Sequence, residues 1–227
     1  ALLWAVIPIC NGLLFWKVPI APLMEEGEAG LTMRELFTMK SFWILLVMMV
    51  CAGASEQAVS QWASAFAELG LGVSKTVGDL AGPMAFAILM GGARAYYGKY
   101  GERINLDTFM AGSCMLCILA YLCIVFVPSP VFGLIGCAVT GLSVGIMWPG
   151  TFSKASAALR RGGTAMFALL ALAGDLGCSG GPTLVGLVSG RHGDDLKAGI
   201  LAALIFPVIL LLGIFLLKKN SMEKSKD

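Results

Sequence analysis

Charge is scarce in this sequence. Only 13% of its 227 residues are charged, about half the roughly 25% of a soluble domain. Histidine occurs once, as His192. A soluble fold needs polar residues to cover its outside, and this chain has too few. The shortage excludes a soluble enzyme, a nucleic-acid binder and a disordered tail. The chain also starts without methionine or a basic stretch, so the apolar segment Ala1 to Trp16 reads as the end of a truncated helix and not as a signal peptide. The seven cysteines all fall in apolar segments and imply no disulfide framework. Cys114 and Cys117 form a C-x-x-C with no second ligand pair, and the preferred reading is small apolar packing residues.

What is present is apolar: 58% of the residues are hydrophobic, and 29 more are glycine. One helical crossing of a bilayer takes roughly 20 residues, so six take roughly 120. The apolar runs are long and continuous, whereas barrel strands would alternate over about ten residues. The pattern predicts an all-α membrane protein with spans at 42–69, 74–97, 105–127, 130–152, 164–189 and 196–217. Residues 1–16 then end a preceding helix, 17–41 form a polar loop, and 218–227 form a charged tail. Thirteen of the sixteen Lys and Arg residues fall on one side of this layout; Lys75, Arg191 and Lys197 fall on the other. The positive-inside rule places the loop and the tail in the cytoplasm.

Polar residues divide the spans into two kinds. The third and sixth are almost wholly aliphatic and suit lipid. The first, second, fourth and fifth carry acids, amides, hydroxyls and glycines, which belong against protein or water. In the first span, Glu56, Gln57, Ser60, Gln61, Ser64 and Glu68 fall within an arc of about 140° on an ideal helix. Glu56 lies roughly 21 Å past Phe42 along the axis, near mid-membrane. The stripe is a helix–helix hydrogen-bonding seam or the wall of a water-filled substrate cavity. The cavity is favoured, because acids within a membrane are costly and mark pathways. Trp62 lies roughly opposite the stripe, where packing or lipid contact is expected unless the helix is broken.

The fifth span carries Gly174-Asp175-Leu176-Gly177 and then Gly181-Pro182. The second carries Gly78-Asp79-Leu80 and then Gly82-Pro83, at an offset of 96 to 99 residues. Three helices separate the runs, so they fit a three-plus-three inverted repeat; coincidence between glycine-rich runs is the alternative. Asp79 lies about one turn into its helix and reads as structural or interfacial. The fourth span holds Thr140, Gly141, Ser143, Gly145, Trp148 and Pro149. Trp148 is either an interface anchor or a gate or ligand-stacking residue.

With these residues in view, the chain resembles the C-terminal half of a major facilitator superfamily transporter. The resemblance implies that the first and fourth spans line a cavity, the second and fifth face the other half, and the third and sixth are peripheral. Gly91, Gly98-Lys99 and Arg103 are similar to the family's cytoplasmic loop motif, with Ala95 standing where that motif has an acid. Glu56 with Trp62, Trp148-Pro149, and the Gly174 to Pro182 run look most like the fucose-permease-like branch and related bacterial members. The resemblance further implies a missing N-terminal half as partner, carrying half of the substrate site.

The expected function is secondary active transport of a small polar solute, sugar-like or another small metabolite, by proton-coupled symport across the cell membrane. Glu56 and Asp175 have no cationic partner at similar depth in this half, so each is a candidate proton carrier. Gln57, Ser60, Gln61, Thr140 and Trp148 are candidate solute contacts. An intramembrane aspartyl protease would need G-x-G-D, but Thr76 and Leu172 stand at the first glycine. A metalloprotease would need ligands beyond His192, expected in an outer loop. A homo-oligomeric channel or half-size transporter is the remaining alternative. No cofactor, metal or nucleic-acid partner is expected.

Overall fold

The computed structural model describes residues 2–19, 30–65, 68 and 74–224. The acidic part of the polar loop, the hairpin at 70–73 and the last three residues lie outside the described residues, as does the side chain of Asp79. The described residues form helices and no strand. In chain order they are α1 (Leu2–Lys17), α2 (Met33–Thr38), α3 (Lys40–Ser60), α4 (Lys75–Tyr100), α5 (Leu106–Phe126), α6 (Pro130–Val144), α7 (Met147–Ala158), α8 (Gly163–Arg191), α9 (Leu196–Ala203) and α10 (Ile205–Lys224).

Among the described residues, five segments are long and apolar enough to cross a membrane: Lys40–Ala65, Leu106–Phe126, Val131–Ala158, Gly163–Arg191 and Leu196–Asn220. The sequence predicts six. The second predicted span, α4, is 26 residues long, carries Lys75, Asp79, Arg94 and Lys99, and is not among these five. The protein is thus an all-α, multi-pass membrane bundle, with α4 the least apolar of its long helices.

Glycine sets the closest helix contacts. A Cβ added at Gly53 would lie 2.2 Å from the Gly174 carbonyl oxygen, and one at Gly177 would lie 2.0 Å from that of Val50. These glycines let α3 and α8 touch backbone to backbone, the most extensive pairing in the bundle. The same device joins α4 to α6, where a Cβ on Gly141 would lie 2.3 Å from the Phe86 carbonyl oxygen. An inverted repeat exchanges these two pairings: first span with fifth, fourth span with second. The packing of α5 on α6 and of α10 on α3 exchanges in the same way.

Two departures from straight spans matter for the site. The first span turns at Gln61–Trp62, short of its predicted end. The Trp62 amide bonds three residues back, to Val59, and its indole Nε1 donates to the Pro182 carbonyl at 3.4 Å. Trp62 therefore packs on α8, beside Gly186. The fourth span, read as one helix over 130–152, breaks at Gly145–Ile146 and continues as α7 to Ala158. The cause lies in Pro149, which has no N–H to give the Gly145 carbonyl four residues before it.

The described part of the polar loop contains one short helix. Thr32 and Glu35 form a reciprocal capping box that opens α2, and the Leu31 amide donates to the Arg161 carbonyl at 2.8 Å. Leu36 is fully buried in a cluster with Phe42, Leu45, Leu159 and Met166. These contacts tie the segment before α3 to the connection between α7 and α8. Cys114 and Cys117 are fully buried in the main core beside Met110 and Tyr121.

Candidate functional site

A cavity of about 470 Å³ is lined by Glu56, Arg94, Trp148, Pro149, Phe152, Asp175 and Cys178. Four helices supply it: α3, α4, α7 and α8. Three of the seven residues singled out from the sequence meet here, namely Glu56, Trp148 and Asp175. The other four do not line it. Thr140 is fully buried, and its hydroxyl donates to the Gly136 carbonyl of its own helix at 2.8 Å. Gln57 and Ser60 are half-buried further along α3, and Gln61 is exposed at the turn.

The sequence leaves Glu56 without a cationic partner, and the structure corrects this. Arg94 places its Nη2 3.1 Å from Glu56 Oε2. The carboxylate side chain is 13% exposed and the guanidinium 43%. Arg94 also donates its Nε to the Gly145 carbonyl at 3.3 Å. That carbonyl is the one Pro149 leaves unbonded, so a single guanidinium satisfies both an acid and a broken helix turn. Counting along the helices conceals this pairing. Arg94 lies six residues, or about 9 Å, before the end of α4, while Glu56 lies about 24 Å into α3. The helix ends are not level, and an arginine stem bridges several ångströms.

Trp148 forms the aromatic wall. It follows the break in the fourth span directly, so the break aims it. A Cβ on Gly174 would come within 2.5 Å of the Trp148 ring, so glycine there makes room for the indole. Phe152 stands one turn on, its ring centroid 6.1 Å from that of Trp148 and inclined at 63°. Trp148 Nε1 is buried and has no hydrogen-bond partner among the described residues. Asp175 is exposed on the cavity wall next to Gly174 and makes no hydrogen bond or ion pair among the described residues.

This arrangement combines an ion pair, a second carboxylate and an aromatic corner. It offers sites for a proton and for a polar solute, and no group of His, Cys, Asp or Glu suited to a metal occurs among the described residues. A family model for the Major Facilitator Superfamily matches residues 1–182. The chain belongs to that superfamily. Membership in the Major Facilitator Superfamily makes this a membrane transporter fold and not that of a catalytic enzyme. The superfamily match includes all of α1 to α7 and α8 as far as Pro182, and with them every residue of the cavity wall. A comparison with curated proteins finds no match.

Arg94, Phe152 and Cys178 are the cavity residues missed in the sequence. For Phe152 and Cys178 a signal exists: each lies one turn or so from a residue already singled out, four residues after Trp148 and three after Asp175. For Arg94 the only signal is an arginine just inside a predicted span, which the orientation argument absorbs as an inside charge.

Proposed function

We propose that this protein is a secondary active transporter that moves a small polar solute by alternating access, in symport with protons. The observation that carries the reading is the Glu56–Arg94 pair on the wall of the cavity that also holds Trp148 and Asp175. An ionised Glu56 occupies Arg94. A proton on Glu56 cancels that attraction and frees the guanidinium for solute. Proton and solute then favour each other, which is the thermodynamic requirement of symport. Asp175 and Cys178 on α8 are the other titratable groups lining the same cavity.

In this reading the cavity faces a second six-helix bundle that supplies the opposite wall. The loop and the tail lie in the cytoplasm, and the membrane is the plasma membrane. Within the superfamily, the motifs favour the fucose-permease-like branch. Gln57, Ser60 and Gln61 are available to extend the solute site along α3. Uptake into proteoliposomes by the full-length protein under an imposed pH gradient tests the mechanism. Glu56→Gln is expected to abolish proton-driven accumulation while solute exchange persists. If Glu56→Gln and Asp175→Asn both leave proton-driven uptake intact, the coupling assignment is wrong.

A further inference from the structure

The charges on the cavity wall narrow the solute class. Glu56 and Arg94 neutralise each other at 3.1 Å. Asp175 is left over, with no hydrogen bond or ion pair among the described residues. An uncompensated carboxylate in a bilayer is costly unless something positive meets it. Beside it, across Gly174, stands the corner of Trp148 and Phe152, with centroids 6.1 Å apart. Aromatic faces attract ammonium groups, and most strongly where water is excluded. On the wall of the same cavity, Arg94 presents a planar fork suited to a carboxylate.

We propose that this cavity takes a small zwitterionic solute, its ammonium held by Asp175 within the Trp148–Phe152 corner and its carboxylate held by Arg94. The inference rests on the transport reading above, in which a proton on Glu56 frees Arg94. Charge balances in that cycle. The resting wall carries one negative charge from Glu56, Arg94 and Asp175 together. One proton plus one zwitterion brings it to zero, so each solute moves with one net positive charge. A neutral sugar would leave Asp175 unmet. A simple cation would meet Asp175 but leave the freed Arg94 without an anion.

The test uses the full-length protein, with trimethylglycine and L-proline as zwitterionic probes. Trimethylglycine has a carbon isostere, 3,3-dimethylbutyrate, that lacks only the positive charge; choline lacks the carboxylate. Binding is read by displacement of radiolabelled trimethylglycine in detergent. Transport is read by counterflow into proteoliposomes preloaded with the same unlabelled solute, with D-glucose as the neutral comparison. Both single-charge analogues are expected to bind at least ten-fold more weakly than trimethylglycine. Asp175→Asn should erase the preference over 3,3-dimethylbutyrate, and Arg94→Gln the preference over choline. Since Arg94→Gln also exposes the broken turn at Gly145, Arg94→Lys serves beside it and should keep part of that preference. Equal binding of the isostere, no binding of either zwitterion, or an unchanged preference in Asp175→Asn overturns the proposal. Counterflow of D-glucose without the zwitterions overturns it too, yet leaves the transport reading standing. Zwitterion binding with the expected variant pattern but no counterflow supports the site and removes the transport reading.

Discussion

Arg94 holds Glu56 and the Gly145 carbonyl with one guanidinium, and so couples an acid on α3 to the break between α6 and α7. The link is electrostatic on one side and a backbone repair on the other. Lysine carries the charge but not the fork, so the two roles can be separated. Arg94→Lys is expected to keep most of the stability, because the ammonium keeps a positive charge opposite Glu56. Its transport rate should fall several-fold, since the loop before Trp148 loses its tether. Thermal unfolding in detergent compared with initial uptake rates checks this split.

The glycine at 174 gives a steric prediction. In Gly174→Ala the added methyl would have to displace the Trp148 ring, which lies within 2.5 Å of its position. Uptake is expected to drop at least ten-fold. Gly180→Ala on the same helix meets nothing within 4 Å and should behave as the parent. Equal uptake by the two variants would remove Trp148 from the site.

The α3–α8 seam gives a stability prediction. Gly177→Ala drives a methyl into the backbone of Val50 and cannot be relieved by a rotamer change. Overpacking of this kind costs about 1–3 kcal/mol. A clear fall in Tm, with poor recovery of folded protein, is the expected outcome.

Tyr121 spans two helices, donating its hydroxyl to the Ser55 carbonyl at 2.7 Å from a fully buried position. Tyr121→Phe removes the donor and keeps the ring. A loss of about 1 kcal/mol is expected, measured as a small Tm decrease. A further expectation concerns Lys154, which is buried and paired with Asp107 of α5. Lys154→Met should destabilise, because it leaves the Asp107 carboxylate without its partner, and Asp107→Asn in the same chain should restore most of the loss.

Helix α2 adds a pH dependence. The Thr32 backbone N–H and hydroxyl donate to Glu35 and hold its carboxyl below the usual value of 4.5. The capping contribution is therefore full above about pH 4.5 and is lost as pH falls through the lower folded value. Protection of the Thr32 and Glu35 amides, relative to their intrinsic exchange rates, should fall across that acid range, and Glu35→Gln should flatten the change.

Much of the fold and part of the site are legible in the sequence alone. The shortage of charge and the long apolar runs determine an all-α membrane bundle, because only helices satisfy their own backbone across lipid. The polar stripe on α3 and the Gly174-Asp175 run single out Glu56 and Asp175, since acids stand out in apolar sequence. The reading of 17–41 as a loop passes over α2, although Thr32 and Glu35, a capping box three residues apart, were a signal for it. What linear reading does not supply is depth. It levels the helix ends, which sets Arg94 at a surface and leaves Glu56 alone. It also runs the fourth span straight through Pro149. The tertiary structure decides both points together. Glycine contacts fix how far each helix slides past its neighbour, and the carbonyl orphaned by Pro149 needs a donor that only another helix can bring.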